Sequence, residues 1–163
     1  MTALAMELKA SDAMSSPPIV VSESTSLLET AKLMIDNRIG CVPVVNESGL
    51  LTGVVTEQTF QSQLEELYPR SAIKPDSRVV EELYVSSLRR PSTDHGGVTS
   101  ERKAVPVSSV MATSPATISR QAPLSDVASQ LLHEHSGHLV VVENQKPIGV
   151  IARHDLLRVY ADL

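Results

Sequence analysis

The chain of 163 residues suits a single domain or two small halves sharing one core. Hydrophobic residues make up 42% and charged residues 20%, which is ordinary globular usage and argues against disorder over the whole chain. Aromatic content is 2%, Trp is absent and the net charge is −5, so stacking platforms are scarce and the charge has the wrong sign for a nucleic-acid binder. Cys41 is the one cysteine, which excludes an internal disulfide and a zinc-finger ligand set and points to a reducing compartment. No apolar run approaches the ~18 residues that a membrane span requires. Met1–Ala10 interrupts its apolar content with Glu7 and Lys9 and lacks a signal-peptide core. The expectation is a cytoplasmic protein that binds neither nucleic acid nor membrane.

In chain order, Pro18-Ile19-Val20-Val21 is a short β-branched run that reads as a buried strand. Ser26-Leu27-Leu28-Glu29 has the S-x-x-E spacing of a capping box and opens a helix. That helix is expected to pack Leu27, Ala31, Met34 and Ile35, with Lys32 and Asp36 facing away and Gly40 ending it. Cys41-Val42-Pro43-Val44-Val45 and Leu50–Val55 read as two strands joined by Asn46-Glu47-Ser48-Gly49, where Gly49 can take positive φ. Phe60, Leu64 and Leu67 mark a second helix.

The pattern then breaks. Residues 68–106 carry scattered Pro and Gly and hold Arg70, Lys74, Arg78, Arg89, Arg90, Arg102 and Lys103. They read as a solvated connector, with one helical stretch at Val80, Tyr84 and Leu88 and a loop at Ser92–Ser100.

From residue 107 the first pattern returns. Met14 maps to Met111, Pro18 to Pro115 and Ser22 to Ser119, an offset of 97 (111 − 14) that also links Gly40 to Gly137 and Val44-Val45 to Val141-Val142. At Gly53-Val54 and Gly149-Val150 the offset is 96 (149 − 53), which places a one-residue deletion in the second hairpin, where length changes are tolerated. The last helix repeats the spacing with Leu156, Tyr160 and Leu163. A copy this short buries too little surface to stand alone, so the two should pack face to face about a pseudo-two-fold axis, with a crevice between them.

Two βαββα copies, the lead Val107-Ser-Ser-Val110-Met111, the V-P-V-V of Val42–Val45 and the G-V-V-T of Gly53–Thr56 together resemble the cystathionine-β-synthase (CBS) domain pair, or Bateman module. The resemblance covers residues 8–67 and 107–163 and implies an α+β fold of two CBS repeats with the connector 68–106 between them. It further implies a non-catalytic module that binds AMP, ADP, ATP or S-adenosylmethionine, forms homodimers through its helices and acts on a regulated protein. No cofactor is implied.

The family's ribose motif, G-h-x-[S/T]-x-x-D, is half present in each copy. Gly53-Val-Val-Thr56-Glu-Gln-Thr59 keeps the hydroxyl at Thr56 and has Thr59 where the carboxylate belongs. Gly149-Val-Ile-Ala152-Arg-His-Asp155 keeps the carboxylate and loses the hydroxyl. A carboxylate suits a vicinal diol, because its two oxygens both accept. The resemblance therefore favours a site at Asp155, with Thr117, Ile118, Leu139 and Val140 around the base and Arg153, His154, His138 or Arg38 near phosphate. The first copy's counterpart would use Thr56 and Thr59 with Ile19, Val20 and Pro43.

Structure alone accounts for several of these residues. Asp155 falls in a helical first turn, where any acid gains a few tenths of a kcal/mol from the dipole (about 0.3–1). Thr56 is a good N-cap. His133 and His135 project about 200° apart on a helix, so they do not suit one metal ion together with His138. The competing reading is a degenerate pair kept as a dimerising or docking element.

Overall fold

A computed structural model of the chain describes residues 8–67 and 105–163. The helix expected at Val80–Leu88 and the loop at Ser92–Ser100 lie outside these residues. The first repeat holds β1 (Val21–Ser22), α2 (Leu27–Asn37), β2 (Cys41–Val45), β3 (Leu51–Thr56) and α3 (Glu57–Leu67), preceded by the single turn α1 (Ala10–Ala13). A 3-10 turn at Val107–Ser109 leads into β4 (Thr117–Ser119), α4 (Leu124–His133), β5 (His138–Glu143), β6 (Lys146–Ala152) and α5 (Arg153–Ala161). Each repeat is a three-stranded sheet, ordered β1-β2-β3 and β4-β5-β6, with the first pair parallel and the second antiparallel. The α+β fold of two packed repeats matches the sequence reading.

Local chemistry sets the element ends. Ser26 Oγ accepts from Glu29 N at 3.1 Å, and Glu29 Oε2 accepts from Ser26 N at 3.1 Å, closing the expected capping box. The Ser26 hydroxyl also donates to that carboxylate, and the side-chain and backbone bonds from Ser26 hold the Glu29 carboxyl below its ordinary range. The first strand is shorter than expected. Pro17 and Pro18 have no N–H to give a ladder, so pairing begins only at Val21, opposite Val44.

Gly40 does not end α2. The helix stops at Asn37, and Arg38 takes the left-handed conformation, φ 53°, with its N–H on Ile35 O. Ile35 is 74% exposed, against the expectation that it packs inward; Thr30 and Met34 are the buried residues of this helix. The hairpin deletion falls as expected. Between the equivalent pairs Val45–Leu51 and Val142–Pro147, the first loop contains residues 46–50 and the second 143–146. The shorter loop turns on Asn144 and Gln145, both at positive φ (50° and 63°).

The two repeats exchange their leading segments. Ala10 and Ala13 are fully buried in the core of the second repeat, among Ile118, Val127, Leu131 and Leu139. Val107 is fully buried in the core of the first, among Val21, Met34, Val42 and Val55. Backbone bonds repeat the exchange at equivalent positions: Leu27 N donates to Val105 O, and Leu124 N to Leu8 O, both at 2.8 Å. Ser15 pairs reciprocally with Val150 of β6, and Ala112 with Val54 of β3. A third cluster of Cys41, Val54 and Val140, backed by Leu51, Val142 and Val150, joins the sheets.

Glycines make the crossings possible. A Cβ at Gly53 would stand 2.5 Å from Met111 Sδ and 2.8 Å from Ala112 O; at Gly149 it would meet Met14 Sδ at 2.6 Å. Gly53→Ala should therefore lower stability by about 1–3 kcal/mol, the usual cost of overpacking a filled core. Gly149→Ala should cost less, since all its near neighbours are side-chain atoms of Met14. Urea denaturation of the two variants measures both; equal costs would mean that the Ala112 carbonyl moves freely.

Candidate functional site

Two clefts flank the junction of the sheets, related by the pseudo-two-fold axis. The larger, about 470 Å³, receives Pro17, Pro18 and Ile19 from the first lead and Arg38, Ile39 and Gly40 from the end of α2. Val150, Ala152, His154 and Asp155 close it from β6 and the start of α5. Its twin, about 90 Å³, is built from the equivalent positions: Val54, Thr56 and Gln58, with Ser114, Pro115 and Ala116. Cys41 and His138, the first residues of β2 and β5, line both clefts. His138 Nδ1 faces Ser136 O at 2.7 Å, which fixes its proton there, and Nε2 lies 3.0 Å from where a Cβ on Gly40 would sit. Gly40 thus serves a close approach between repeats. Burial pushes the Cys41 thiol up to about 12, which removes it as a thiolate nucleophile near neutral pH.

Asp155 is 8% exposed and internally engaged. Its Oδ2 accepts from Ala152 N at 2.7 Å, and Oδ1 lies 3.0 Å from Arg158 Nη2. Arg158 in turn donates to Ala13 O at 3.2 Å, fastening α5 to the exchanged lead. Thr59 does the same capping work in the first repeat, where its Oγ1 accepts from Thr56 N at 3.1 Å. Both divergent motifs therefore keep a side-chain oxygen on the backbone N–H that precedes the helix, while Ala152 supplies no side-chain cap of its own.

Of the residues singled out from sequence, Ile19, Arg38, His138, His154 and Asp155 meet in the larger cleft. The others do not join them. Thr117 and Leu139 line a separate depression with Ser129 and His133, and Ile118 is part of the second repeat's core. Val140 and Thr56 belong to the smaller cleft. Arg153 donates to Leu131 O and, at 2.7 Å, to Glu134 O, so it satisfies the carbonyl end of α4. Val20 is 40% exposed, and Pro43 is fully buried. Among the described residues, no three His, Cys, Asp or Glu side chains gather as a metal site.

Sequence reasoning missed Pro17, Pro18, Ile39, Gly40, Glu57 and Val150 as cleft residues. It paired Asp155 with strands of its own repeat, whereas the exchanged lead brings Ile19 across. A glycine inside each third strand, Gly53 and Gly149, was the available signal of a close backbone crossing.

The CBS domain family profile matches residues 10–65 and 107–162. The chain belongs to the CBS-domain family, as a pair of repeats. It is 44% identical over 52 residues to the uncharacterized protein MK0525 of Methanopyrus kandleri, covering 32% of this chain and 26% of that one. It is 40% identical over 45 residues to L-aspartate semialdehyde sulfurtransferase of Methanocaldococcus jannaschii, covering 28% and 9%. The aligned segments are thus a minor part of those proteins. Among solved structures, the CBS pair of MJ0100 in complex with 5′-methylthioadenosine and S-adenosyl-L-methionine superposes with a TM-score of 0.67 at 19% identity, covering 94% of this chain and 99% of that one. CBSX2 of Arabidopsis thaliana, in complex with AMP, does so with a TM-score of 0.67 at 22% identity, covering 94% and 96%. No helix among the described residues is long and apolar enough to cross a membrane.

The double engagement of Asp155 raises the expected cost of removing it above the dipole contribution alone. Asp155→Ala should destabilise the ligand-free protein by about 1–2 kcal/mol, as for loss of a helix cap, read as a shift in the urea midpoint at constant slope. Cys41 should resist iodoacetamide at neutral pH in the folded protein and react once urea unfolds it. Rapid labelling of the native chain would contradict its burial.

Proposed function

We propose that the chain is a regulatory CBS pair that binds an adenosine ligand (AMP, ADP, ATP or S-adenosylmethionine) in the larger cleft, catalyses nothing, and passes occupancy to a partner protein. The carrying observation is that cavity: about 470 Å³, within the range of small-molecule sites, with apolar walls and an acceptor carboxylate at one end. Asp155 already accepts from Ala152 and Arg158, yet a carboxylate offers about four lone-pair positions, so a ribose diol can still donate to it. We place the protein in the cytoplasm.

Its working form in this reading is a homodimer. Ile35 and Leu132 occupy equivalent positions on α2 and α4 and are 74% and 80% exposed. Leu64 and Tyr160 are likewise equivalent on α3 and α5, at 53% and 79%. Apolar side chains exposed in matched pairs suit an interface that uses both repeats. Light scattering should give twice the 17.6 kDa chain mass at tens of micromolar; a monomer there removes the dimer from the proposal.

A second reading, the docking element without ligand, draws support from the same carboxylate, whose two oxygens both have protein partners. Scanning fluorimetry with AMP, ADP, ATP, NAD and S-adenosylmethionine separates the two. A ligand at 100 times its dissociation constant adds about 2.7 kcal/mol and raises the melting temperature by several degrees. If the melting curve stays fixed with all five compounds, the docking reading takes its place.

A further inference from the structure

The helix pairs of the two repeats, α2 with α3 and α4 with α5, are equivalent in sequence and unlike in relief. Between α2 and α3 runs a groove of about 520 Å³, lined by Ala31, Met34, Ile35, Ile39 and Phe60. At the equivalent place in the second repeat lies Arg153, the counterpart of Glu57. Its guanidinium stands 3.3 Å from where a Cβ on Gly137 would sit and donates to Leu131 O and Glu134 O. The second pair projects apolar side chains instead: Leu132, Leu157 and Tyr160 are exposed on it. Leu157 and Tyr160 stand where the first repeat has Gln61 and Leu64. The charges differ as well. α2 and α3 expose the carboxylates of Glu29, Asp36, Glu57, Glu65 and Glu66 against Lys32 and the capping Arg38. α4 and α5 hold Asp126 and Asp155 against Arg153 and Arg158, with His133 and His154 besides.

We propose that two copies of the chain pack head to tail, the α4–α5 face of one seated on the α2–α3 groove of the other, with Leu157 and Tyr160 entering that groove. This rests on the homodimer reading above and adds which repeat meets which. A two-fold dimer that covers both faces can pair each face with its own copy or with the other face. Like on like doubles the excess of carboxylate in one contact and sets two projecting faces against each other in the second. Head to tail puts the acidic groove against the less acidic, projecting face, and does so twice. Close packing at an interface needs complementary relief, and like charges brought face to face oppose association.

Complementation reads the pairing. Ile35→Asp puts a carboxylate at the groove and Tyr160→Asp one on the projecting face; both side chains are exposed, so neither change touches a core. Alone, each variant spoils both contacts of a head-to-tail dimer and should run as a 17.6 kDa monomer by light scattering at tens of micromolar. Mixed in equal amounts they should recover dimer, because the unaltered groove of one chain meets the unaltered face of the other. In like-on-like packing every contact would hold one altered surface, and mixing would restore nothing. A short bismaleimide gives a second reading without added charge. Chains carrying Leu64→Cys and Tyr160→Cys should cross-link to each other and neither to its own kind, with the buried Cys41 silent. Cross-links between like chains, or a mixture no more dimeric than its components, overturn the head-to-tail pairing and leave the dimer standing. A monomeric wild type removes both and leaves the groove to a different protein.

Discussion

The reciprocal exchange of lead segments is the contact on which the remaining architecture depends. Neither repeat completes its own core: the second needs Ala10 and Ala13, and the first needs Val107. The exchange also sets the spacing of the sheets, because Met111 lies over Gly53 and Met14 over Gly149. With each lead bonded along the other repeat's third strand, the start of β1 is carried to the neighbouring helix terminus. Every cleft between the repeats is therefore composite. Ile19 and Asp155 belong to different copies of the duplication and share one cavity only because the chain crosses over.

A duplicated scaffold of this kind starts with two equal clefts, and here equivalent positions around them hold different residues. Ile39 is matched by Ser136, Arg38 by His135, and His154 by Gln58, all at the repeat offsets. The pair Cys41 and His138 shows the same divergence in the wall that both cavities share. Helix-start capping, by contrast, is retained with different chemistry, since Thr59 and Asp155 each bond the backbone N–H three residues back. Position 155 thus has a structural duty that any ligand would have to share.

The duplication, the element order, the capping box and the hairpin deletion were all legible in the sequence, because each is a local pattern that repeats at a fixed offset. What escaped was non-local. Periodicity places Ile19 on a strand and Asp155 at a helix start, but it carries no information on which copy's strand faces which copy's helix. The family resemblance puts Arg153 near phosphate. Its guanidinium instead finds the free carbonyls at the end of α4, a destination visible only once α4 and α5 lie side by side. Gly40 reads as a helix terminator in the sequence, yet its missing Cβ makes room for His138.

Arg38, Ile39, Gly40 and Glu57 line the larger cleft on one side and the apolar groove of α2 and α3, about 520 Å³, on the other. The partition between the two cavities is thus one short turn of chain plus one side chain. Gly40 pins that turn to the opposite repeat, where its α-carbon leaves only 3.0 Å between a notional Cβ and His138 Nε2. Arg38 holds it in a left-handed conformation that has few neighbouring minima. An occupant of the cleft that moves Arg38 or Glu57 alters the wall of the groove as well, because both residues line both cavities. Coupling of that kind runs both ways: whatever an occupant of the cleft does to the affinity of the groove, an occupant of the groove does equally to the affinity of the cleft.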